Sequence, residues 1–359
     1  MIVEKALIAM SGGVDSSVAA YLMQQSGYHC IGATMHLCNH IRLKSSGDGY
    51  VPDSAADAKA VAKKLGMDFL LLDHREDFRQ KVIDSFVDCY EHGGTPNPCV
   101  TCNRYLKFGV LLDRALEMGC DCIVTGHYAK ICQDSTTGRY LLYRAEDRGK
   151  DQTYFLYSLT QHQLAHTQFP LGELSKEQVR LIAQEQGFLN ARKRDSQDIC
   201  FIPDGDYLQF IKQYTGKEYP GGDYLDAKGN VLGRHTGAVG YTIGQRKGLG
   251  IALGEPAYVC AKDMEQNTVT LGKNEDLFRS GLRANDWNWI PFPAPAEPIR
   301  VTAKVRYRHI EQPATVYPEE NGFARVEFDE PQRAITTGQA VVLYDGDLVI
   351  GGGTITEVL

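Results

Sequence analysis

The segment Ser11–Ser17 (SGGVDSS) has the residue types that most clearly suit chemistry. It lies between a short apolar run and a pattern with apolar residues at helical spacing. Glycines let the backbone turn so that successive N–H groups face a phosphate, and the following helix adds the positive end of its dipole. The hydroxyls of Ser11, Ser16 and Ser17 supply further donors. The segment is therefore predicted to bind phosphate, although it has neither the lysine of a Walker A loop nor the GxGxxG pattern of dinucleotide sites.

Two cysteines, Cys99 and Cys102, form a Cys-x-x-Cys pair within the segment 94–104 (GTPNPCVTCNR). The two prolines predict an extended loop that enters a helix at about Cys102 or Asn103. Unpaired N–H groups at a helix start and the nearby charge of Lys107 lower a thiol pKa, so Cys102 is predicted to be a reactive thiolate. The pair alone does not distinguish metal binding, disulfide redox chemistry and sulfur transfer.

A third segment, Asp195–Ile202 (DSQDICFI), contains one further cysteine, Cys200. A single cysteine among apolar neighbours is more often a small buried side chain than a nucleophile. The local pattern therefore assigns Cys200 no chemical role, and any such role must come from the wider context.

The first 130 residues alternate short apolar runs with helical patterns. The predicted strands are Ala6–Met10, Cys30–Leu37, Phe69–Leu72 and Cys122–Thr125, and the predicted helices after the first one are Ala55–Leu65, Val82–Tyr90 and Asn103–Met118. Such alternation is typical of a parallel sheet covered by helices on both faces. We therefore expect an α/β, Rossmann-like domain.

Three domains are expected along the chain. The first, 1–202, continues with a hairpin arm at Arg139–Arg144 and helices at Asp151–Leu159 and Ser175–Gln186, the last capped by Ser175. The glycine-rich region 203–281 is predicted to be a small central α+β domain.

The region 282–359 is predicted to be a C-terminal antiparallel β-barrel domain. Four proline residues between Pro291 and Pro298 predict a stiff connection. The β-rich runs are Ile299–Tyr307, Ala314–Val316, Phe323–Phe328 and Ala340–Tyr344.

Charge and composition narrow the function classes. The chain has 359 residues with 38 Lys and Arg against 45 Asp and Glu, so any nucleic-acid site must be a local basic patch. Lys304, Arg306 and Arg308 alternate along a predicted strand and would share one face. No apolar run approaches the ~20 residues of a membrane helix, and the ten cysteines are too sparse for a disulfide framework. We therefore expect a cytoplasmic protein with no membrane contact.

The motif SGGVDSS resembles the signature of the PP-loop ATP pyrophosphatases, which cleave ATP between its α- and β-phosphates and leave an adenylated substrate. The motifs TPNPCVTCN, GHYAK, KDQTYFLY, DSQDICFIPD and GQRKGLG follow it in the order and approximate spacing of the tRNA-specific 2-thiouridylases of the MnmA type. The similarity runs through nearly the whole chain, including KVRYRH in the C-terminal region. Enzymes of this family adenylate the C2 oxygen of the wobble uridine in tRNA and replace it with sulfur, with release of AMP and pyrophosphate.

The resemblance implies an ATP site with Mg²⁺, in which Asp15 is a partner of the metal ion. The implied ATP-binding residues are Ala9, Met10, Ser11, Gly12, Gly13, Val14, Asp15, Ser16, Met35 and Gly126. Several of them follow predicted strands directly, which is where an open α/β sheet keeps its ligand crevice.

The resemblance also implies the sulfur chemistry. Cys200 matches the cysteine that carries a persulfide, and Cys102 matches the partner that attacks the persulfide and closes a disulfide bond with Cys200. The sulfur donor in this scheme is a cysteine desulfurase or a sulfur-relay protein. A reductant must reopen the disulfide after each cycle.

Cys99 departs from a common pattern of the family, because many members have Asp at this position. Cys99, Cys102 and Cys200 instead match a variant arrangement proposed to hold an iron–sulfur cluster, with one open iron that binds sulfide. A zinc site with three cysteines is a further alternative. If a cluster forms, Cys102 and Cys200 are ligands and the persulfide scheme fails, so the two schemes remain open at this point.

The resemblance further implies contacts with tRNA that carries a wobble uridine. Asn97, Pro98 and Cys99 match the residues that frame the target base after it leaves the anticodon stack. The residues that match other tRNA contacts are His127, Lys150, Asp151, Gln152, Arg306, Tyr307 and Gln339.

Two other functions account for parts of the sequence. Another PP-loop adenylating enzyme, such as an amidotransferase-type ligase or a tRNA lysidine synthetase, accounts for SGGVDSS but not for TPNPCVTC or DSQDIC. A non-enzymatic metal-binding RNA module accounts for the cysteines and the basic residues, but it leaves the phosphate-binding segment without a role. Pyrophosphate release on addition of tRNA and ATP separates the enzyme from such a module.

Overall fold

The computed structural model of the protein describes residues 3–38, 54–193 and 199–359. Asp195–Asp198, which form part of the DSQDIC motif, lie outside the described residues, whereas Cys200 lies within them. The chain forms two compact units. The first unit comprises Met1–Val82, Cys99–Phe201 and Gly346–Ile350, and the second comprises Ile83–Pro98, Ile202–Asp345 and Gly351–Leu359.

The secondary structure of the described residues alternates strands and helices in the first half and is mostly β in the second. The strands are β1 (Lys5–Ala9), β2 (His29–His36), β3 (Asp68–Asp73), β4 (Cys122–Val124), β5 (Ala129–Gln133), β6 (Tyr140–Arg144), β7 (Thr167–Gln168), β8 (Gly222–Leu225), β9 (Val231–His235), β10 (Tyr258–Asp263), β11 (Thr268–Gly272), β12 (Phe278–Trp289), β13 (Ile299–Lys304), β14 (Gln312–Pro318), β15 (Ala324–Arg333), β16 (Ala340–Asp345) and β17 (Leu348–Val358). The helices are α1 (Val14–Gln25), α2 (Ser54–Lys64), α3 (Arg75–Phe78), α4 (Asp84–Glu91), α5 (Pro98–Cys102), α6 (Leu111–Glu117), α7 (Gln161–Ala165), α8 (Lys176–Glu185) and α9 (Tyr207–Thr215). Two π-helical segments, Arg79–Ile83 and Asn103–Val110, join α3 to α4 and α5 to α6.

A parallel sheet in the order β3-β2-β1-β4-β7 organises the first unit. Strand β1 is central, and its residue Ala6 pairs with Cys30 of β2 and with Cys122 of β4. Ile8 of β1 is fully buried and belongs to the same core cluster as Val18 of α1. A central strand that is buried on both faces is expected when helices cover both sides of a parallel sheet. The predicted α/β, Rossmann-like fold is therefore confirmed.

Most predicted elements of the first unit agree with the structure to within about two residues. The predicted helix Ser175–Gln186 is α8, and the Ser175 hydroxyl accepts a hydrogen bond from the N–H of Gln178 at 3.2 Å, as expected of an N-cap. The predicted hairpin arm pairs as β6 with β5, and Leu348 at the start of β17 pairs with Tyr143 of the arm.

The helix predicted for Asp151–Leu159 was wrong, because this segment contains only one 3₁₀ turn, Thr153–Phe155. The Asp151 carboxylate accepts hydrogen bonds from the N–H of Ala145 at 3.1 Å and from the hydroxyl of Thr153 at 2.7 Å. A short polar side chain that bonds nearby backbone and hydroxyl groups competes with helix formation.

The helical region that follows the GTPN sequence begins earlier than predicted. Helix α5 begins at Pro98, and the helical backbone continues through the π-helical segment into α6. Proline suits the first position of a helix because its fixed φ is helical and its missing N–H would have no partner there. Cys102 is consequently the last residue of α5 and not the residue at the helix start.

The second unit contains a small sheet and a barrel. The small sheet has the order β10-β11-β8-β9, and the hydroxyl of its buried residue Tyr224 donates to the carbonyl of Leu249 at 2.7 Å. The barrel strands follow the order β12-β15-β14-β13-β16-β17, and pairing of β12 with β17 closes the circle. The predicted small α+β module and C-terminal antiparallel barrel are therefore confirmed as fold types.

The barrel differs from the prediction in three details. Its first and last strands, β12 and β17, were not predicted, and the stretch Pro291–Pro298 connects two strands of the same barrel. Strand β13 ends at Lys304, so the prediction that Arg306 and Arg308 share a strand face with it was wrong. Both arginines lie in the bend and turn after the strand. Among the described helices, none has the length and apolar character needed to cross a bilayer.

Substituting Ser175→Ala is expected to lower the free energy of unfolding of the protein by about 1 kcal/mol, because α8 would lose the hydroxyl that caps its N-terminus. Urea unfolding followed by circular dichroism measures this difference. Ser135→Ala changes an exposed loop hydroxyl and serves as the control, with an expected change within about 0.5 kcal/mol. Equal stability of the two variants would contradict the capping role of Ser175.

Candidate active site

The phosphate-binding candidate is the turn between β1 and α1. Gly12 has φ +70°, a left-handed conformation that favours glycine. Gly13 precedes α1, and among the described residues no side chain caps the helix there. The Ser16 hydroxyl lies 3.2 Å from the N–H of Ser11, from which it accepts, and donates to the carbonyl of Gly13 at 3.1 Å. The turn therefore presents backbone N–H groups and hydroxyls at a helix N-terminus, as an anion site requires.

The end of β4 lies against the first turn of α1. A Cβ atom on Gly126 would lie 2.7 Å from the carbonyl carbon of Asp15 and 2.7 Å from the amide nitrogen of Ser16. Only glycine permits this approach without displacing the backbone of α1. The structure thus places Gly126 beside the SGGVDSS segment, and it places Met35 near the carboxyl end of the neighbouring strand β2.

Asp15 is engaged by two groups that sequence reasoning did not identify. Its carboxylate accepts hydrogen bonds from the ammonium of Lys176 at 2.7 and 2.8 Å and from the hydroxyl of Tyr128 at 3.0 Å. Lys176 is the first residue of α8, and its side chain is only 11% exposed. The signal that could have suggested this contact is the position of Lys176 directly after the N-cap Ser175, where a helix begins.

All three cysteines that the family pattern assigns to sulfur chemistry belong to the first unit. Burial raises the pKa of the Cys200 thiol to about 12, and the neighbouring thiols Cys102 and Cys99 add to this rise. Cys99 and Cys200 are exposed residues, whereas Cys102 is buried.

The prediction that Cys102 has a lowered thiol pKa was wrong. Burial raises the pKa of Cys102, and the positive charge of Lys107 opposes this effect only in part. The physical reason is that α5 begins at Pro98, so Cys102 lies beyond the unpaired N–H groups of the helix start and inside the protein.

Cys38 is a fourth cysteine near this group, a position that sequence reasoning did not predict. Its proximity contributes to the raised pKa of Cys200. Cys38 follows β2 by two residues and therefore belongs to the carboxyl edge of the parallel sheet, which was the available signal.

The donor set of Cys99, Cys102 and Cys200 suits an iron–sulfur cluster chemically, because thiolates are its usual ligands. Within the described ranges, however, no group of three His, Cys, Asp or Glu side chains is arranged to hold a metal ion. The described residues therefore form no single-ion site such as the zinc site that the sequence left open.

His127 lies beside the same sheet edge, three residues after β4. Its Nδ1 is 2.7 Å from the hydroxyl of Thr125, and its ring packs against Phe108 and Phe169 with centroid distances of 5.8 and 5.9 Å. Burial lowers the pKa of His127 well below its usual value, so the ring is neutral at physiological pH.

The segment with Lys150, Asp151 and Gln152 makes contacts within the first unit. The carboxylate of Asp151 is buried against the backbone as described above. The side-chain carbonyl of Gln152 accepts a hydrogen bond from the N–H of Tyr128 at 3.0 Å. Gln152 therefore supports the backbone next to His127, whereas Asp151 holds the backbone of Ala145 and the hydroxyl of Thr153.

In the second unit, Gln339 supports the loop that leads to Asn97 and Pro98. Its side-chain amide donates to the carbonyls of Thr95 at 2.9 Å and Pro96 at 3.1 Å. Gln339 therefore fixes the backbone of the loop immediately before the residues predicted to frame the target base.

Arg306 is also engaged internally in the second unit. Its guanidinium donates to the carbonyls of Ile243 and Ala334 and to the hydroxyl of Thr336, with distances from 2.6 to 3.2 Å. Its neighbour Tyr307 lies under the ammonium of Lys304, 5.7 Å from the ring centroid.

Three family models match the chain in succession. The model described as tRNA methyl transferase HUP domain matches residues 4–204, the tRNA methyl transferase PRC-barrel domain matches residues 208–273, and the aminomethyltransferase beta-barrel domain matches residues 279–355. The three matched segments cover almost the whole chain.

Curated relatives match over the full length. The tRNA-specific 2-thiouridylase MnmA of Clostridioides difficile (strain 630) is 50% identical over 357 residues, which is 99% of each chain. The protein of the same name from Acetivibrio thermocellus is 50% identical over 355 residues, 98% of this chain and 99% of the relative. Among solved structures, the U34-tRNA thiolase NcsA from Methanococcus maripaludis matches with a TM-score of 0.35 and 20% identity. The match covers 59% of this chain and 67% of that structure. On the strength of the full-length relatives, the chain belongs to the family of tRNA-specific 2-thiouridylases of the MnmA type.

Proposed function

We propose that the protein catalyses the ATP-dependent thiolation of the wobble uridine of tRNA at C2. The observation that carries this proposal is that one compact unit contains both an uncapped phosphate-binding turn and the neighbouring cysteines Cys102 and Cys200. The first feature suits activation by ATP, and the second suits sulfur transfer. The 50% identity to 2-thiouridylases supports the same conclusion.

The chemistry requires two steps. A carbonyl oxygen is a poor leaving group, so the C2 oxygen of uridine first attacks the α-phosphate of ATP and pyrophosphate leaves. Sulfur then attacks C2 and the oxygen departs as part of AMP, which yields 2-thiouridine. The turn Ser11–Gly13 would bind the phosphates during the first step through its N–H groups and hydroxyls.

Mg²⁺ bound with ATP would neutralise phosphate charge, and the family pattern makes Asp15 the carboxylate that would share it. Asp15 also accepts hydrogen bonds from Lys176 and Tyr128, which orient its carboxylate beside the turn. These two residues hold the Asp15 oxygens in a fixed position before any ion binds.

The sulfur step is proposed to use Cys200 as the persulfide carrier and Cys102 as the attacking thiol. Attack of the Cys102 thiolate on the inner sulfur of the persulfide forms the Cys102–Cys200 disulfide and releases the outer sulfur as sulfide, which attacks C2. A cysteine desulfurase or a sulfur-relay protein would load Cys200, and a thiol reductant would reopen the disulfide. Lys107 favours the thiolate forms of both cysteines.

An iron–sulfur cluster with sulfide as donor is the alternative for this step. We favour the persulfide route because it needs only two neighbouring thiols, as Cys102 and Cys200 are, whereas the described residues form no site for a single metal ion. Thiouridine formed from sulfide only after anaerobic iron reconstitution would instead support the cluster.

Contacts with tRNA are proposed for the residues of the family pattern. Asn97, Pro98 and Cys99 would frame the target base, with Gln339 as the support of their loop. His127, Lys150, Asp151, Gln152, Arg306 and Tyr307 would contribute to the surrounding tRNA surface. We also propose three functional domains, at 1–202, 203–281 and 282–359, in a cytoplasmic enzyme.

The family-model descriptions name a methyl transferase, but the site favours thiolation. Methyl transfer from an activated donor needs neither an ATP-cleaving turn nor a pair of adjacent thiols. Another PP-loop adenylating enzyme would likewise leave Cys102 and Cys200 without a role. Release of pyrophosphate that depends on tRNA would exclude a non-enzymatic RNA module.

Substituting Cys102→Ser or Cys200→Ser is expected to reduce 2-thiouridine formation about a thousandfold or more, because each change removes one of the two sulfur atoms of the exchange. The assay incubates the enzyme with tRNA, Mg·ATP and a loaded desulfurase, then digests the tRNA and quantifies the nucleosides by mass spectrometry.

Cys132→Ser is the matched control, since Cys132 is an exposed cysteine on β5 of the same unit. It is expected to retain wild-type thiolation. In all three variants tRNA-dependent pyrophosphate release should persist, and full thiolation by Cys200→Ser would refute the persulfide role.

Gly126→Ala is expected to raise the KM for ATP by about five- to a hundredfold, because the new methyl group would push the first turn of α1 away from its position beside the phosphate-binding turn. Steady-state pyrophosphate release at varied ATP measures this change. Gly149→Ala, where a Cβ meets only the Asp147 carboxylate at 3.4 Å, should behave as wild type. An unchanged KM in folded Gly126→Ala protein would show that this approach does not govern ATP binding.

Alkylation of Cys200 is expected to rise about a hundredfold between pH 7.5 and 9.5. The raised pKa of about 12 keeps the thiol neutral over this range, so the thiolate fraction grows about tenfold with each pH unit. Iodoacetamide labelling followed by peptide mass spectrometry measures the rate. In urea-unfolded protein the alkylation rate of Cys200 should rise only about tenfold over the same range, because an ordinary thiol is half ionised near pH 8.5. The same pH profile in folded and unfolded protein would argue against a raised pKa.

A further inference from the structure

The phosphate-binding turn itself carries no cationic side chain, since the residues from Ser11 to Ser17 include neither lysine nor arginine. A triphosphate has several negative charges, and P-loop enzymes meet part of this charge with a lysine inside the loop. The structure contains two lysines that reach this turn from much later in the sequence.

Lys176 reaches the first turn of α1. Its ammonium is bonded to both carboxylate oxygens of Asp15 and lies 5.8 Å from the centroid of the Tyr128 ring. The side chain is 11% exposed, so its stem is packed inside the protein. Its backbone N–H donates to the Asp147 carboxylate at 2.9 Å, which fixes the start of α8.

Lys193 reaches the turn on the side of Gly12. Its ammonium donates to the carbonyl of Gly12 at 3.3 Å and to the carboxylate of Asp57 on α2 at 2.8 Å. The Lys193 side chain is 35% exposed, so a bound ligand could still reach it. The Asp57 carboxylate orients this ammonium as the Asp15 carboxylate orients that of Lys176.

Asn190 fixes the turn on which these lysines converge. Its side-chain amide donates to the carbonyl of Gly12 at 3.2 Å and to the hydroxyl of Ser17 at 2.9 Å, and the residue is 4% exposed. Gly12 therefore accepts from Asn190 and from Lys193, so the segment 190–193 is tied directly to the turn.

We propose that Lys176 and Lys193 are phosphate-binding residues of the ATP site and together replace the lysine that the turn lacks. Each ammonium would donate to phosphate oxygens of the triphosphate, Lys176 from the side of α1 and Lys193 from the side of Gly12. Charge-assisted hydrogen bonds of this kind are stronger than those from neutral donors. The inference rests on the proposed ATP-dependent function of the same site and extends it.

The experiment measures nucleotide binding alone, without tRNA or a sulfur donor. Isothermal titration of the full-length protein uses Mg²⁺ with α,β-methylene-ATP, which the enzyme cannot cleave at the α–β position, and in parallel adenosine. Lys176→Ala and Lys193→Ala are each expected to weaken binding of the triphosphate about ten- to a hundredfold. Adenosine binding should change less than about twofold, because the lysines would contact only phosphates.

Lys64→Ala is the matched control, since the Lys64 ammonium bonds a backbone carbonyl, that of Gly187, outside the turn. It should bind both probes as wild type does. Lys176→Arg and Lys193→Arg retain the charge, and each should bind the triphosphate at least about threefold more tightly than the corresponding alanine variant. Thermal unfolding of every variant confirms that the folded protein is being titrated.

Unchanged affinity for the triphosphate in folded Lys176→Ala and Lys193→Ala would overturn the inference and leave the two lysines as packing contacts of α8 and α2. Equal losses for adenosine and the triphosphate would overturn it as well, because they would indicate a general disturbance of the site. Wild-type protein that binds the triphosphate through these lysines but forms no thiouridine would instead refute the proposed function and leave this inference standing.

Discussion

The backbone of Gly126 comes so close to the first turn of α1 that a single methyl group would not fit, and the site in the first unit depends on this approach. The absence of a side chain at Gly126 lets the chain after β4 lie this close to the start of α1. Because parallel strands joined by helices all end at the same edge of the sheet, Met35 near the end of β2 and His127 after β4 are brought to the edge where the turn Ser11–Gly13 presents its N–H groups.

Residues far away in sequence also hold the turn in place. Asn190 and Lys193 both bond the carbonyl of Gly12, and Lys176 bonds Asp15 at the start of α1. A glycine-rich turn has many accessible backbone conformations. Because these contacts already order the turn, nucleotide binding has a smaller entropic cost. The charges that the turn lacks in its own sequence are thus supplied by the same contacts that give it a fixed shape.

The pKa of the Cys102 thiol depends on burial more than on the position of the residue in its helix. Helix α5 ends with Cys102, and burial there keeps the thiol protonated, with Lys107 as the opposing charge. A protonated resting thiol is protected from adventitious alkylation and oxidation, which act on the thiolate. The proposed sulfur transfer would require a rise in the thiolate fraction of Cys102 above this resting state.

The sequence by itself determined the alternation of strands and helices, the glycine-rich turn, the cap at Ser175 and the family, because these depend on local periodicity, on backbone freedom and on ordered motifs. The contacts of Lys176, Lys193 and Asn190 with the turn were decided only by the tertiary structure, since more than 160 residues separate each pair. The protonated state of Cys102 was likewise decided by packing, because no local pattern reveals how deeply a helix buries its last turn. The same holds for Arg306, whose position on a predicted strand suggested an exposed basic stripe until the fold placed its guanidinium among backbone carbonyls.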